Sequence, residues 1–245
     1  MVAVKKSVLS RLMRRLRHAV LALLLLGFGI SLGAVLTLRW LDPPYSAVML
    51  QRLFGEGEPQ HQVWCDLGQI SPYAALAVVA AEDQGFPTHW GFDTDQIIAA
   101  VERGLEGGRL RGASTISQQV ARNLFLWQGR SVLRKGLEAW FTVLLEGLWP
   151  KRRILEMYLN FAETGERTFG VAAASRRYFG VPPDRLSPRQ AALLAAVLPN
   201  PVRFRVDAPS PYVYQRRDWI LRQMRNLGGP DYLEALISPK RAEAP

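Results

Sequence analysis

The 245-residue chain has a single cysteine, Cys65, and only three histidines, His18, His61 and His89. One cysteine excludes an intramolecular disulfide, even in an oxidising compartment. The histidines are scattered, and neither His-Glu-x-x-His nor Cys-x-x-Cys spacing occurs, so no transition-metal site is legible. Zinc-finger and RNA-recognition signatures are missing, as are internal repeats and low-complexity tracts. Acids are missing from the whole N-terminal segment, since all 21 Asp and Glu lie beyond residue 38. Long uncharged runs are missing too, with one exception.

That exception is Ala19 to Leu38, twenty residues without Lys, Arg, Asp or Glu. As a helix it would be about 30 Å long, the thickness of a bilayer's hydrocarbon core. Lys5, Lys6, Arg11, Arg14, Arg15 and Arg17 precede it. A basic flank stays cytoplasmic, which puts residue 39 onward across the membrane. A cleaved signal peptide has a shorter apolar core, about 7–15 residues, so an uncleaved anchor is the preferred reading. Removing those six cations from the formal +10 leaves the rest of the chain at about +4. Nucleic-acid binding does not follow from so modest a charge; an anionic, membrane-bound partner fits better.

The organisation expected is a basic tail at 1–18, an anchor at 19–38, a membrane-proximal join at 39–70, one mainly helical domain at 71–230 and a tail at 231–245. Pro43, Pro44, Gly55, Gly57 and Pro59 break up the join, and Gln62 to Leu67 could form a short strand. Ser71 and Pro72 open a helix whose Ala74–Ala81 stretch is almost wholly apolar. Asp93 or Thr94 caps a helix carrying Ile97, Ile98, Val101 and Leu105, stopped near Gly107 and Gly108. Ser114 opens the next. Ser131 opens a longer one with Leu133, Leu137, Trp140, Phe141, Leu144, Leu145 and Leu148 as its apolar stripe. Pro150 ends that helix and starts another, in which Ile154, Leu155, Tyr158 and Leu159 face inward. Ser187-Pro188 and Ser210-Pro211 repeat the cap-plus-proline signal, and Gly228 ends the last long helix.

Four segments carry polar groups in patterns a core does not need. In the first, Glu82 and Asp83 close the apolar helix and Phe86, His89 and Gly91 follow in a tight loop. Acids oppose the macrodipole at a helix C-terminus, so buried carboxylates there point to a site; solvated acids at a helix–loop junction are the plainer alternative. In the second, Ser114, Thr115, Ser117, Gln118, Gln119, Arg122 and Asn123 line a helix start, where free N–H groups and the positive dipole end suit phosphate or sugar oxygens. In the third, Arg130, Arg134, Lys135 and Glu138 place a carboxylate within helical reach of a basic cluster; taken alone this reads as a surface ion pair. In the fourth, Lys151 to Asn160, Glu156 and Asn160 are i,i+4 partners able to brace a wall, a structural role more than a chemical one.

These segments, in this order, resemble the glycosyltransferase family that polymerises lipid II into peptidoglycan. That family carries Glu-Asp-x-x-Phe-x-x-His-x-Gly, Gly-x-Ser-Thr-Ile-x-Gln-Gln-x-x-Lys-Asn, Arg-Lys-x-x-Glu and Lys-x-x-Ile-Leu-Glu-x-Tyr-Leu-Asn. The matching positions here are Glu82–Gly91, Gly112–Asn123, Arg134–Glu138 and Lys151–Asn160. Phe169-Gly170-Val171, Tyr178-Phe179-Gly180 and Ala191–Ala195 extend the likeness, which covers about residues 63–230. The absence of a downstream Ser-x-x-Lys pair makes the chain similar to the monofunctional biosynthetic members. One position departs: Arg122 stands where the family usually has Lys, a planar fork in place of a compact ammonium.

The resemblance implies a lysozyme-like, two-lobed helical domain behind a single N-terminal transmembrane helix, in a bacterial inner membrane with the catalytic domain periplasmic. It implies transfer with inversion from a lipid diphosphate-linked glycan to the 4-hydroxyl of lipid II. Glu82 would be the general base. Arg122, Arg130, Arg134 and Lys135 would stabilise the leaving diphosphate, with Glu138 orienting those cations or stabilising positive charge at C1. Asp83, Phe86, His89 and Gly91 would hold the base and shape its loop. Ser114, Thr115, Gln118, Gln119, Asn123 and Glu156 complete the substrate-binding set. Lipid II, the growing lipid-linked glycan and the membrane are the implied partners, with other cell-wall synthesis or division proteins as further candidates and nucleic acid excluded. No cofactor is required; magnesium at the diphosphate is compatible with the chemistry, although no ligand set can be read. The apolar run Leu124-Phe125-Leu126-Trp127 is either a bilayer contact or core. A lysozyme-type lytic enzyme and a non-catalytic membrane-anchored scaffold are the rival readings. The clustered cations count against the first, and Glu82 and Glu138 among the other motifs count against the second.

Overall fold

In the computed structural model, which describes residues 2–56, 61–105, 114–129 and 131–237, the N-terminal segment is one continuous helix, α1 (Val2–Leu38). Its Leu12–Leu38 portion is apolar and long enough to cross a membrane by length and composition. Leu21, Leu23, Leu24, Leu25 and Leu26 along it are exposed. The chain divides after Leu41, and everything from Asp42 onward belongs to a second unit.

That second unit is mainly helical, as expected. It contains α2 (Ala47–Glu56), α3 (Pro72–Glu82), α4 (Thr94–Leu105), α5 (Ile116–Phe125), α6 (Val132–Leu148) and α7 (Lys151–Phe161). After these come the short α8 (Val171–Ala174), a π-turn over Ser175–Phe179, then α9 (Pro188–Val197), α10 (Pro211–Asn226) and α11 (Glu234–Ile237). A small sheet joins β1 (His61–Gln62), β2 (Glu163–Gly165) and β3 (Thr168–Phe169) in the order β1-β3-β2, parallel across the first pair and antiparallel across the second.

The core is built where helices of small residues meet. Ala74–Ala80 of α3 are all buried, and so are Ala191, Ala192, Ala195 and Ala196 of α9, which packs on it. Helices whose contact faces are alanine approach closely, and α10 closes over both. On the other side α5 packs between α6 and α7. Ile154, Leu155, Tyr158 and Leu159 of α7 all point inward, as the sequence pattern requires.

Several local expectations change. Ser71 occupies the N-cap of α3, but its hydroxyl donates to the Leu186 carbonyl (2.8 Å), tying the helix start to the chain before α9 in place of capping it. The strand expected over Gln62 to Leu67 is confined to His61–Gln62. The stretch after it lies against α7, with the Cys65 amide donating to Asn160 Oδ1 and the Leu67 amide to Glu156 Oε1, each at 2.9 Å. Leu133 is 68% exposed, so the apolar stripe of α6 faces the core only from its middle onward. Of the Leu124–Trp127 run, Leu124 and Leu126 are buried, Phe125 stacks on Phe141 with ring centroids 4.4 Å apart, and Trp127 is exposed. The join is more than a linker, because α2 packs on α5, and Gln51 donates to the Leu126 carbonyl (3.1 Å) and accepts from the Gln128 amide (2.9 Å). Gly107, Gly108, Gly112 and Arg130 lie outside the described residues.

Candidate active site

Glu82 is the last residue of α3 and Asp83 its C-cap, so both carboxylates sit at the negative end of a helix dipole. Asp83 escapes that penalty by reaching a second helix. Its Oδ2 accepts from the Ile116 amide (2.9 Å), the first N–H of α5, where negative charge is favoured. Its Oδ1 accepts from His89 Nε2 (2.8 Å), and the same ring accepts the Gly91 amide at Nδ1 (3.0 Å). An acceptor at Nδ1 puts the proton of neutral His89 on Nε2, the tautomer Asp83 needs. Phe86 is fully buried beneath this loop, with the Lys151 ammonium 4.6 Å from its ring centroid.

Gly91 must be glycine. Its φ is +77°, and a Cβ would lie 2.7 Å from Thr142 Cγ2 and 2.8 Å from Glu146 Cγ. Glu146 in turn accepts from Ser117 and from Lys151, so the loop, α5, α6 and α7 are tied at one point.

Thr115, rather than Ser114, caps α5. Its Oγ1 accepts from the Gln118 amide (3.2 Å) and donates to the Gly91 carbonyl (2.6 Å), while Gln118 Oε1 accepts from the Thr115 amide (3.0 Å). The Thr-Ile-Ser-Gln run is thus a capping box. Thr115 and Gln118 hold the helix start, with both side chains buried; Ser114 is half-buried just before it.

The next turn reaches Glu82. Gln119 Nε2 donates to Glu82 Oε2 (3.1 Å), and Gln119 Oε1 accepts from the Tyr158 hydroxyl (3.2 Å). Arg216 Nη2 donates to Glu82 Oε1 (3.3 Å). The Glu82 side chain is 16% exposed. Burial pushes its carboxyl above the usual glutamate range, while Gln119, Arg216 and Arg122 pull the other way. Burial likewise pushes the Tyr158 phenol well above its ordinary value, with the nearby Glu82 charge adding to the effect.

A cavity of about 470 Å³ is lined among others by Gln119, Arg122, Asn123, Arg134, Tyr158 and Asn200; Glu82 is not in its lining and is joined to it through Gln119. Arg134 Nη1 donates to Glu138 Oε2 (2.6 Å), and Lys135 donates to Glu138 Oε1. Glu138 is 2% exposed with both oxygens engaged, a geometry suited to holding cations in place. The buried Arg134 Nε has no hydrogen-bond partner among the described residues. Lys135 is half exposed and does not line the cavity.

Of the other expected site residues, Glu156 is engaged elsewhere, accepting from Leu67 and from Arg153 Nη1 (2.7 Å) to brace α7 against the chain before α3. Two residues were not legible. Arg52 of α2, which pairs with Glu163 (2.9 Å), lines the cavity, and Arg216 reaches Glu82 from α10, 134 positions away. Among the described residues no three His, Cys, Asp or Glu are grouped to hold a metal.

The sequence matches the Transglycosylase family over residues 48–225. A biosynthetic peptidoglycan transglycosylase of Xanthomonas campestris pv. campestris is 54% identical over 228 residues, covering 91% of this chain and 93% of the relative. One from Cronobacter sakazakii is 52% identical over 225 residues, covering 89% and 93%. One from Pseudomonas entomophila is 51% identical over 238 residues, covering 95% and 99%.

Proposed function

The chain belongs to the transglycosylase family, and from that premise we infer a peptidoglycan glycosyltransferase that polymerises lipid II into glycan strands with Glu82 as its general base. The observation that carries the assignment of roles is the juxtaposition of a buried carboxylate with an arginine-lined cavity, joined through Gln119.

A sugar hydroxyl is a weak nucleophile and needs a base in contact with it. Glu82 has two neighbours fixing its oxygens and a raised proton affinity, so it can accept the 4-hydroxyl proton as that oxygen attacks C1 of the donor. Attack on the face opposite the lipid diphosphate inverts the anomeric centre in one step, with no covalent enzyme intermediate. As the C1–O bond breaks, charge accumulates on the departing diphosphate. Arg134 and Arg122 both line the cavity. Each charge-assisted hydrogen bond that forms there contributes about 1.5–3 kcal/mol. Glu138, engaged with Arg134 and Lys135, fixes those cations in advance. His89 and Asp83 do not touch the substrate in this scheme; they set the loop that follows the base.

We place the N-terminus in the cytoplasm, α1 in the inner membrane and the catalytic unit in the periplasm, because the basic residues precede the apolar segment. Anchoring keeps the enzyme in the plane where a lipid-linked substrate diffuses. The deciding experiment incubates detergent-solubilised protein with labelled lipid II, wild type beside Glu82→Gln, and sizes the products on a gel. Long glycan from the wild type alone supports a polymerase with its base at Glu82. Polymer from both variants removes Glu82 from that role, and cleavage of finished glycan would favour a lytic enzyme.

A further inference from the structure

We propose that Arg216 is a positioning residue for the base: from α10 it supplies the counter-charge to Glu82 and fixes the orientation of its carboxylate. This rests on the reading of Glu82 as the base.

The surroundings of Glu82 are hostile to an anion. It ends α3, where the free carbonyls concentrate negative potential. Asp83 is its chain neighbour, and water is largely excluded. The groups that face it from the elements packed around it are few. α5 supplies the neutral donor Gln119 and the guanidinium of Arg122, which affects the carboxylate electrostatically. α7 supplies the Tyr158 phenol, which stays protonated and points at Gln119. The turn after α10 supplies Tyr232, whose hydroxyl donates to the Gln84 carbonyl (2.7 Å), with Asp231 exposed beside it. α9, packed along α3, carries one charged residue, Arg189, which is exposed. Among the described residues, Arg216 is therefore the cation in direct contact with the base.

Its placement fits that task. Arg216 does not line the cavity; it approaches Oε1 while Gln119 holds Oε2, so the two donors clamp the carboxylate. Its guanidinium sits 6.0 Å from the Trp219 ring centroid on the same helix, and its buried Nε has no hydrogen-bond partner among the described residues. Removal of this contact raises the pH at which the base ionises and frees its rotamer, while the substrate's own contacts persist.

The test is the pH profile of lipid II polymerisation for the full-length protein, with Arg216→Gln, Arg216→Met and Arg216→Lys beside wild type and Glu82→Gln. Gln keeps a polar end and Met keeps the stem's packing on Trp219, so one of the pair is available if the other does not fold. We expect the acid limb of kcat/KM to move up by about one pH unit in either variant, the lower end of the effect of an opposite charge at this distance. KM at high pH should stay within about twofold, and Arg216→Lys should return the limb toward its wild-type position. A rate loss equal at every pH, with the limb unmoved, overturns the inference while an inactive Glu82→Gln leaves the base assignment standing. An active Glu82→Gln would instead overturn the reading on which the inference rests.

Discussion

Replacing Asp83 with Asn should separate the scaffold of the site from its chemistry. Asp83 is 2% exposed, and its two oxygens accept from the Ile116 amide and from His89 Nε2 at 2.9 and 2.8 Å. An amide offers one acceptor where two are needed. If the Asn oxygen faces Ile116, its NH2 meets the His89 N–H. His89 could turn that nitrogen into an acceptor by changing tautomer, but Nδ1 would then carry a proton against the Gly91 amide. If the amide flips, Ile116 N–H faces a donor. Each arrangement loses one charge-assisted hydrogen bond, about 1.5–3 kcal/mol, and strands one buried donor, about 1–3 kcal/mol. A total of about 2.5–6 kcal/mol lowers the melting temperature of a chain this size by roughly 5–24 °C. The end of α3 that carries Glu82 shifts with it, and polymerisation falls about 10–100-fold. Thermal melting of the solubilised protein beside the lipid II assay reads both. A melting temperature within about 2 °C of wild type with unchanged rate would refute the reasoning.

Glu82→Gln should behave in the opposite way, losing at least about 100-fold in rate while melting near or slightly above wild type at neutral pH. The sign follows from burial: the folded state binds the Glu82 proton more tightly than the unfolded, so stability from this group is complete below the unfolded carboxylate pKa and is lost as pH rises through the folded one. The Gln variant should lack that slope in melting scans across pH. Arg134→Gln should cost about 10–100-fold in kcat/KM from the lost diphosphate contact, and an unchanged value would remove Arg134 from that role. Gly91→Ala should destabilise by more than about 1 kcal/mol, because its φ and the 2.7 Å approach to Thr142 act together; a variant that melts with wild type would contradict the loop geometry.

Much of the helical framework was legible because its punctuation is local. Ser187-Pro188 and Ser210-Pro211 mark true N-caps, and Gly228 ends α10 with φ +93°. The capping box at Thr115-Ile-Ser-Gln118 was also written locally, and it distinguishes Thr115 from Ser114 once the partner Gln three positions on is required. Long-range partners were not legible. Nothing near Arg216 marks it among the other arginines of α10, and only folding brings it to Glu82. Arg52 lay in a stretch broken by Gly and Pro that reads as linker. Glu156 read as a brace from its i,i+4 spacing and as a substrate-binding residue only by resemblance; its partners, the Leu67 amide and Arg153, are not given by pattern alone. The two- and three-residue strands are too short for an alternating signal. Gly170 was noted only as part of a match; its reason is the Asn160 carbonyl, 2.6 Å from where a Cβ would stand.

The line from Tyr158 through Gln119 to Glu82 has a direction. Because the buried phenol keeps its proton and donates it, Gln119 must turn its oxygen to Tyr158 and its NH2 to the carboxylate. An amide held this way is a one-way valve: it can steady an anion but cannot carry a proton off it. Arg216, always charged, closes the other side in the same sense. With Glu82 as the base, a proton taken from a sugar leaves through the 16% of its side chain open to solvent, and not through Gln119 or Arg216.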